Sequence, residues 1–158
     1  MEGFDLKSAR MKEAYLIRAA DVVEPPMSAE DWADFEKGVR LFNCREHWES
    51  HEAWEQVWRR HKEPSRIFFQ GLIQLAAAYH QLRRGIYHGT VKHYNNSYFK
   101  LKQFPDRFLG VDVGALRRKI EQGLAEVERL GQERMGEFPQ DLTAEVVYNR
   151  PKVGHVYS

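Results

Sequence analysis

One short stretch of the chain carries imidazole and carboxylate groups at the spacing of a helical turn. His51 precedes Glu55 by four residues, and Glu52 follows His51 directly. Residues four apart lie on the same face of a helix, so the Glu55 carboxylate can bind the His51 ring. A carboxylate bound to an imidazole in a partly dry pocket is typical of acid–base chemistry near neutral pH. The pattern predicts catalytic roles for His51, Glu52 and Glu55, with Glu52 or Glu55 as the base.

A second row of polar groups lies in the apolar segment that follows. Gln70 and Gln74 fall on one stripe of a helical wheel, within residues 66–84, which are apolar nearly all round. Amide groups on a core-facing stripe destabilise the fold unless they are hydrogen-bonded. We therefore predict that Gln70 or Gln74 binds His51 or Glu55 on the neighbouring helix. The same contacts could serve a ligand site or a purely structural network that fixes the helix register.

A divalent metal ion is a third interpretation of the cluster. The spacing of His51, Glu52 and Glu55 resembles the zinc-protease helix motif, with Glu55 in place of the second histidine. His47 lies on the same row, but a row from His47 to Glu55 is about 12 Å long, too long for a single ion. A third ligand would come from another helix, and His80 is the first candidate. The paired Glu and His spacing of di-iron bundles is absent.

Composition narrows the classes of function and partner. The 158 residues carry 24 Lys and Arg against 23 Asp and Glu, a net charge of +1, which does not favour nucleic acid as a partner. No stretch reaches the roughly 18 apolar residues of a membrane span. Cys44 is the only cysteine, which excludes an internal disulfide and favours the reducing cytoplasm. Composition leaves open whether the protein binds a small molecule and whether it forms a homo-oligomer.

The elements that position the polar rows are helices with clear start and stop signals. Ser28 with Asp31 predicts one helix start, Asn43 with Glu46 predicts the next, and Asp112 predicts the last. Gly85 and Gly131 stand where left-handed C-caps end helices. Apolar residues recur at helical spacing between these signals. His80 is interpreted as a core histidine pointing away from the glutamines, and His88 and His93 as surface residues.

These signals predict an all-α fold, a compact antiparallel bundle of about five to six helices. Residues 28–131 form the predicted core domain. Residues 1–27 are predicted to be an arm or a weak helix that ends at Pro25 and Pro26. Residues 132–158 are predicted to be an irregular tail in which 146–148 form a short extended piece.

Four motifs resemble the signatures of the family named domain of unknown function 309. They are Phe42-Asn43 with the Trp48–Glu55 run and Trp58, the long segment Phe69–His80, Arg84-Gly85 with Gly89, and Leu109–Asp112. The likeness covers roughly residues 35–125. Ile86 stands where the family commonly has Asn, and Trp54 stands where it often has Leu.

The resemblance implies a compact all-α fold and no particular activity. It also implies a set of signature polar positions, namely Glu49, His51, Glu52, Glu55, Gln70, Gln74 and His80. We add Glu49 and His80 to Gln70 and Gln74 as predicted ligand-binding residues. The leading hypothesis is a small-molecule or metal-assisted site, with hydrolysis among its reactions. The alternative is a non-enzymatic scaffold or interaction protein, so the sequence leaves open whether the protein is an enzyme.

Overall fold

A reciprocal capping contact fixes the start of the first helix. The computed structural model describes residues 16–152, and helix α1 spans Ala29–Asn43. The Ser28 hydroxyl accepts from the Asp31 backbone N–H at 3.0 Å, and the Asp31 carboxylate accepts from the Ser28 N–H at 3.1 Å. Two N–H groups that the helix itself cannot satisfy are thus bound, and the predicted capping box is confirmed.

Helix α2 spans His47–Arg60, and its start differs from the prediction. Asn43 is the last residue of α1, and the N-cap of α2 is Glu46, which makes no side-chain capping bond. The Asn43 amide instead donates to the Val146 carbonyl and accepts from the Val146 N–H. Because Val146 lies 103 residues further along the chain, no local pattern could predict this partner.

The other three helices begin and end close to the predicted signals. Helix α3 spans Ile67–Arg83, α4 spans Tyr87–Leu101 and α5 spans Val113–Arg134. Gly85 follows α3 with a φ of 75°, the left-handed conformation expected there. Asp112 caps α5 by accepting from the Ala115 N–H at 2.9 Å. Gly131, with a φ of 71°, divides this range into two helical segments at a kink, so the first segment ends at the predicted glycine.

Consecutive helices pack against one another, and hydroxyl groups tie two of the pairs together. Ser50 on α2 donates to the Gly38 carbonyl of α1 at 2.9 Å. Ser97 on α4 donates to the Gly71 carbonyl of α3 at 2.7 Å. Both acceptors are glycines, whose missing side chains let the neighbouring helix approach closely. This close approach places α3 between α2 and α4, as an all-round apolar helix requires.

The core is rich in aromatic rings, as the composition predicts. Its largest members, all fully buried, are Phe35, Phe42, Trp54, Phe68, Phe69 and Tyr94. The indole N–H of Trp54 is satisfied inside the core by the Phe35 carbonyl at 3.1 Å, so burying this ring leaves no unpaired donor.

Two-residue strands and the C-terminal segment close one end of the bundle. Strand β1, Arg107–Phe108, pairs antiparallel with β2, Val111–Asp112. Val111 also bridges Tyr148, which confirms the predicted extended piece. The segment after α5 packs onto the core through Phe138, Ala144 and Val146, which are all buried.

The described part of the chain is therefore all-α, with five α-helices and one very small sheet. None of the helices within residues 16–152 combines the length and apolar character needed to cross a membrane. Residues 1–15 of the predicted N-terminal arm and residues 153–158 of the predicted tail lie outside the described residues. The described end of the arm forms a 3-10 turn at Ala19–Asp21.

Candidate functional site

His51 and Glu55 meet on one face of α2, as their spacing predicts. Nε2 of His51 lies 3.3 Å from Oε2 of Glu55, and the two side chains are 16% and 32% exposed. A carboxylate can only accept a hydrogen bond, so this contact favours a proton on Nε2. The other ring nitrogen, Nδ1, is buried without a hydrogen-bond partner.

Trp48 brings His80 to the same place. Its ring stacks on His51 with centroids 4.7 Å apart, and it lies 5.0 Å from the His80 ring. His80 therefore faces α2, although the helical wheel suggested that it points elsewhere. Trp48 itself is 45% exposed, so this ring is an apolar surface beside the imidazoles rather than part of the core.

His93 on α4 is the residue that sequence reasoning missed. It was expected on the surface, but it is half-buried and its Nδ1 atom lacks a hydrogen-bond partner. Burial lowers the pKa of His93, and the positive charges of Lys92, His51 and Lys100 lower it further. The ring is thus favoured in its neutral form. The only available signal was its place four residues before Ser97, on the face of α4 that packs against α3.

The glutamine row has a different partner from the one predicted. Oε1 of Gln74 accepts from Nζ of Lys100 at 2.7 Å, so this amide is bound by α4 and not by α2. Within residues 16–152 no hydrogen bond joins Gln70 or Gln74 to His51 or Glu55. The predicted reciprocal pairing is therefore wrong. A wheel identifies the stripe on which a residue lies, but not which of two neighbouring helices covers that stripe.

The remaining predicted carboxylates lie on another side of α2. Glu49 and Glu52 are exposed and line an open groove of about 520 Å³ between α1 and α2. Glu55 also borders this groove, which includes Lys37 and Arg59. Glu55, and not Glu52, is the carboxylate next to His51.

The predicted metal ligands are only partly assembled. His51 and Glu55 are adjacent, whereas His80 contacts the Trp48 ring. In the stretch from residue 16 to residue 152, no group of three or more His, Cys, Asp or Glu side chains is arranged to hold a metal ion. The groups that the structure brings together here are one imidazole and one carboxylate, those of His51 and Glu55.

A second polar cluster, which the sequence did not indicate, joins the ends of α1 and α2. Asp31 is buried, and its carboxylate accepts from Arg60 Nε at 2.7 Å and lies 3.0 Å from His61 Nε2. Burial alone would raise the pKa of Asp31, but the bonds from Arg60 and the Ser28 backbone and the charge of His61 lower it. His61 also lies 3.0 Å from Glu63. All of these groups are paired, which is typical of a structural network.

Comparison with known proteins bears on the segment that holds His51, Glu55 and Gln74. No match to the chain is found among curated proteins. Residues 35–93 match the model of the family described as Domain of unknown function (DUF309). The matched range ends before Leu109–Asp112, the last of the four motifs. The resemblance predicted from the sequence is confirmed for α2, α3 and the first half of α4.

Proposed function

We propose that the protein binds a small polar molecule between His51 on α2 and His93 on α4. His51 acts as the base, and Glu55 holds its ring and stabilises the charge that the ring gains. The observation that carries the proposal is that Nδ1 of each histidine is buried without a partner. Buried polar atoms in folded proteins are paired in about nine cases out of ten, and the charge of His51 acts on His93, so these two unpaired atoms support a shared ligand.

The chemistry of the two rings suggests what that partner is. Nδ1 of His51 serves as an acceptor when the ring proton lies on Nε2, the nitrogen beside Glu55. His93 is favoured as neutral, so its Nδ1 can carry the complementary proton. A hydroxyl group both donates and accepts, so it suits the acceptor on His51 as well as the donor on His93. The proposed ligand class is therefore a hydroxyl-bearing metabolite or a substrate attacked by water.

Hydrolysis follows if the hydroxyl belongs to water. Its proton passes to Nδ1 of His51, and its oxygen forms a bond to the electrophilic carbon of the substrate. The imidazolium that results is stabilised by the Glu55 carboxylate. It then returns the proton to the leaving group as the bond between that group and the carbon breaks. Trp48, with its exposed ring, supports the apolar part of the substrate.

A non-enzymatic scaffold is the second candidate, and the bond between Gln74 and Lys100 favours it. That bond satisfies polar groups within the fold and requires no ligand. A scaffold would keep His51 and Glu55 for helix packing alone. In either case we propose a cytoplasmic protein, in keeping with its single exposed cysteine, Cys44.

A thermal-shift screen of hydroxyl-bearing metabolites, with and without divalent metals, separates the two candidates. A ligand that stabilises the parent protein should fail to stabilise His51→Ala. It should still stabilise Glu52→Gln, because Glu52 lies on the groove side of α2. A screen in which no compound distinguishes the parent from His51→Ala would overturn the proposal and leave the scaffold.

A further inference from the structure

A second cavity, apart from the His51 site, lies where the α1–α2 turn meets the end of α3 and the C-terminal segment. Its volume is about 280 Å³, close to the lower end of the range for small-molecule pockets, about 300 Å³. Arg45, His47, Tyr79 and Arg83 line it, and none of its lining residues is Asp or Glu. The cavity is therefore small and carries positive charge without a built-in counter-ion.

The two arginines lack carboxylate partners. Among residues 16–152, neither Arg45 nor Arg83 forms a salt bridge. The Arg45 guanidinium donates one long bond, 3.4 Å, to the Ala144 carbonyl, which leaves most of its donors unused. Guanidinium groups are always charged and match the geometry of carboxylate and phosphate groups. Two of them at one cavity provide an anion-binding arrangement.

The backbone conformation at Arg45 is strained, because a residue with a side chain occupies a left-handed position that favours glycine. The Glu46 N–H donates to the Leu41 carbonyl at 2.8 Å and the Arg45 N–H to the Phe42 carbonyl at 3.0 Å. This is the Schellman pattern, in which the residue with positive φ is usually glycine. Arg45 has a φ of 66°.

Helix α3 ends with the same pattern and follows the usual rule. The Ile86 N–H donates to Gln81 and the Gly85 N–H to Leu82, both at 3.0 Å. Its left-handed residue is Gly85, with a φ of 75°. The chain thus uses glycine at one such position and a strained arginine at the other. A role for the Arg45 side chain explains why the strain is retained.

His47 supplies the third polar group of the cavity wall. Its side chain is only 7% exposed, and its Nε2 atom has no hydrogen-bond partner. Burial lowers the pKa of His47 to about 4, and the charges of Arg83 and Arg45 contribute. The neutral ring can donate one hydrogen bond to an anion between the two arginines.

We propose that this cavity binds the carboxylate or phosphate group of a small organic anion. Arg45 and Arg83 pair with the charged group, and His47 donates to one of its oxygens. Leu82 and Phe138, which also line the cavity, contact the apolar body of the ligand.

Calorimetric titration with phenyl phosphate and with benzoate, at constant ionic strength, tests the proposal. Saturable binding of either probe to the parent protein is expected, and the probe that binds assigns the charged group. Arg83→Gln should weaken that binding at least about tenfold. Arg84→Gln is the matched control, since Arg84 is the next residue and does not line the cavity. It should change the affinity by less than about twofold.

Arg45→Gly provides a second variant that keeps the turn. Glycine suits a φ of 66°, so this protein should fold with an unchanged circular dichroism spectrum and still lose the probe. His51→Gln should bind the probe normally, which makes this proposal independent of the His51 site. If neither probe binds saturably to the parent protein, the proposal is overturned. Equal losses in Arg83→Gln and Arg84→Gln would also overturn it.

Discussion

Nζ of Lys100 on α4 donates a hydrogen bond to Oε1 of Gln74 on α3 at 2.7 Å, and the Lys100 side chain is only 3% exposed. A buried ammonium group needs oxygen acceptors in place of the water that it loses. This bond therefore ties α3 to α4. Gln74 and Lys100 thus form a structural pair that is distinct from the pair of His51 and Glu55 on α2.

Gln74→Leu should destabilise the protein because it removes an acceptor from the buried Lys100 ammonium. The expected loss in the free energy of unfolding is about 1–3 kcal/mol, measured by urea denaturation. Gln70→Leu is the matched control, since Gln70 lies one turn earlier on α3 and makes no hydrogen bond to Lys100. A loss in Gln70→Leu as large as that in Gln74→Leu would contradict this assignment.

Glu55→Gln should show whether Glu55 serves the chemistry of the His51 site or only the stability of the fold. The pair is partly exposed, so its loss should cost no more than about 1 kcal/mol in unfolding free energy. Hydrolysis of an activated ester such as p-nitrophenyl acetate should fall by about 100-fold or more if His51 needs the carboxylate. Glu52→Gln should leave both quantities unchanged. A loss of 1–3 kcal/mol without any change in ligand response would favour the structural network instead.

His47 should make the protein sensitive to mild acid. Its pKa is about 4 in the folded protein against an ordinary value of 6.5, so the unfolded chain binds a proton more readily in this interval. The stability that neutral His47 provides is complete above pH 6.5 and is lost as the pH falls towards 4. The loss approaches about 3 kcal/mol.

Urea denaturation at a series of pH values measures this loss. His47→Phe should flatten the decline, because the new ring fits between the Phe42 and Tyr79 rings that His47 contacts. His88→Asn should retain it, since His88 is exposed. An unchanged decline in His47→Phe would show that other groups cause the acid sensitivity.

Gly38→Ala should destabilise the protein although alanine favours helices. The added Cβ would overlap the indole ring of Trp54, which packs directly on Gly38. Overpacking of this kind costs about 1–3 kcal/mol, and it opposes a propensity gain of about 1 kcal/mol. Gly136→Ala, where nothing lies within 4 Å of the new atom, should not be destabilising. Thermal denaturation that ranks the two variants equally would contradict the packing described for α1 and α2.

Most of the fold could be predicted because its signals are local. Ser28 and Asp112 cap helices with atoms three residues away, and Gly85 adopts a backbone conformation that few other residues tolerate. Asn43 shows the limit of this reasoning. It has the side chain of an N-cap, but its partner is Val146 in the C-terminal segment.

Only those contacts of the site that lie within one helix could be predicted from the sequence. The contact between His51 and Glu55 follows from their spacing, and it is present. Which helix covers which stripe depends on packing between helices, so the partner of Gln74 and the burial of His93 were not accessible from sequence periodicity. Arg45 was also missed, because only the backbone conformation reveals that an arginine occupies a position suited to glycine.

We propose that Glu55 keeps the proton of His51 on Nε2 and leaves Nδ1 as a free acceptor. Long-range ¹H–¹⁵N NMR of the histidine rings at neutral pH measures this directly. The account predicts an Nδ1 signal of an unprotonated nitrogen for His51 in the parent protein, and a mixture of the two tautomers in Glu55→Ala. A His51 ring protonated on Nδ1, or one whose tautomer is the same in both proteins, would contradict it.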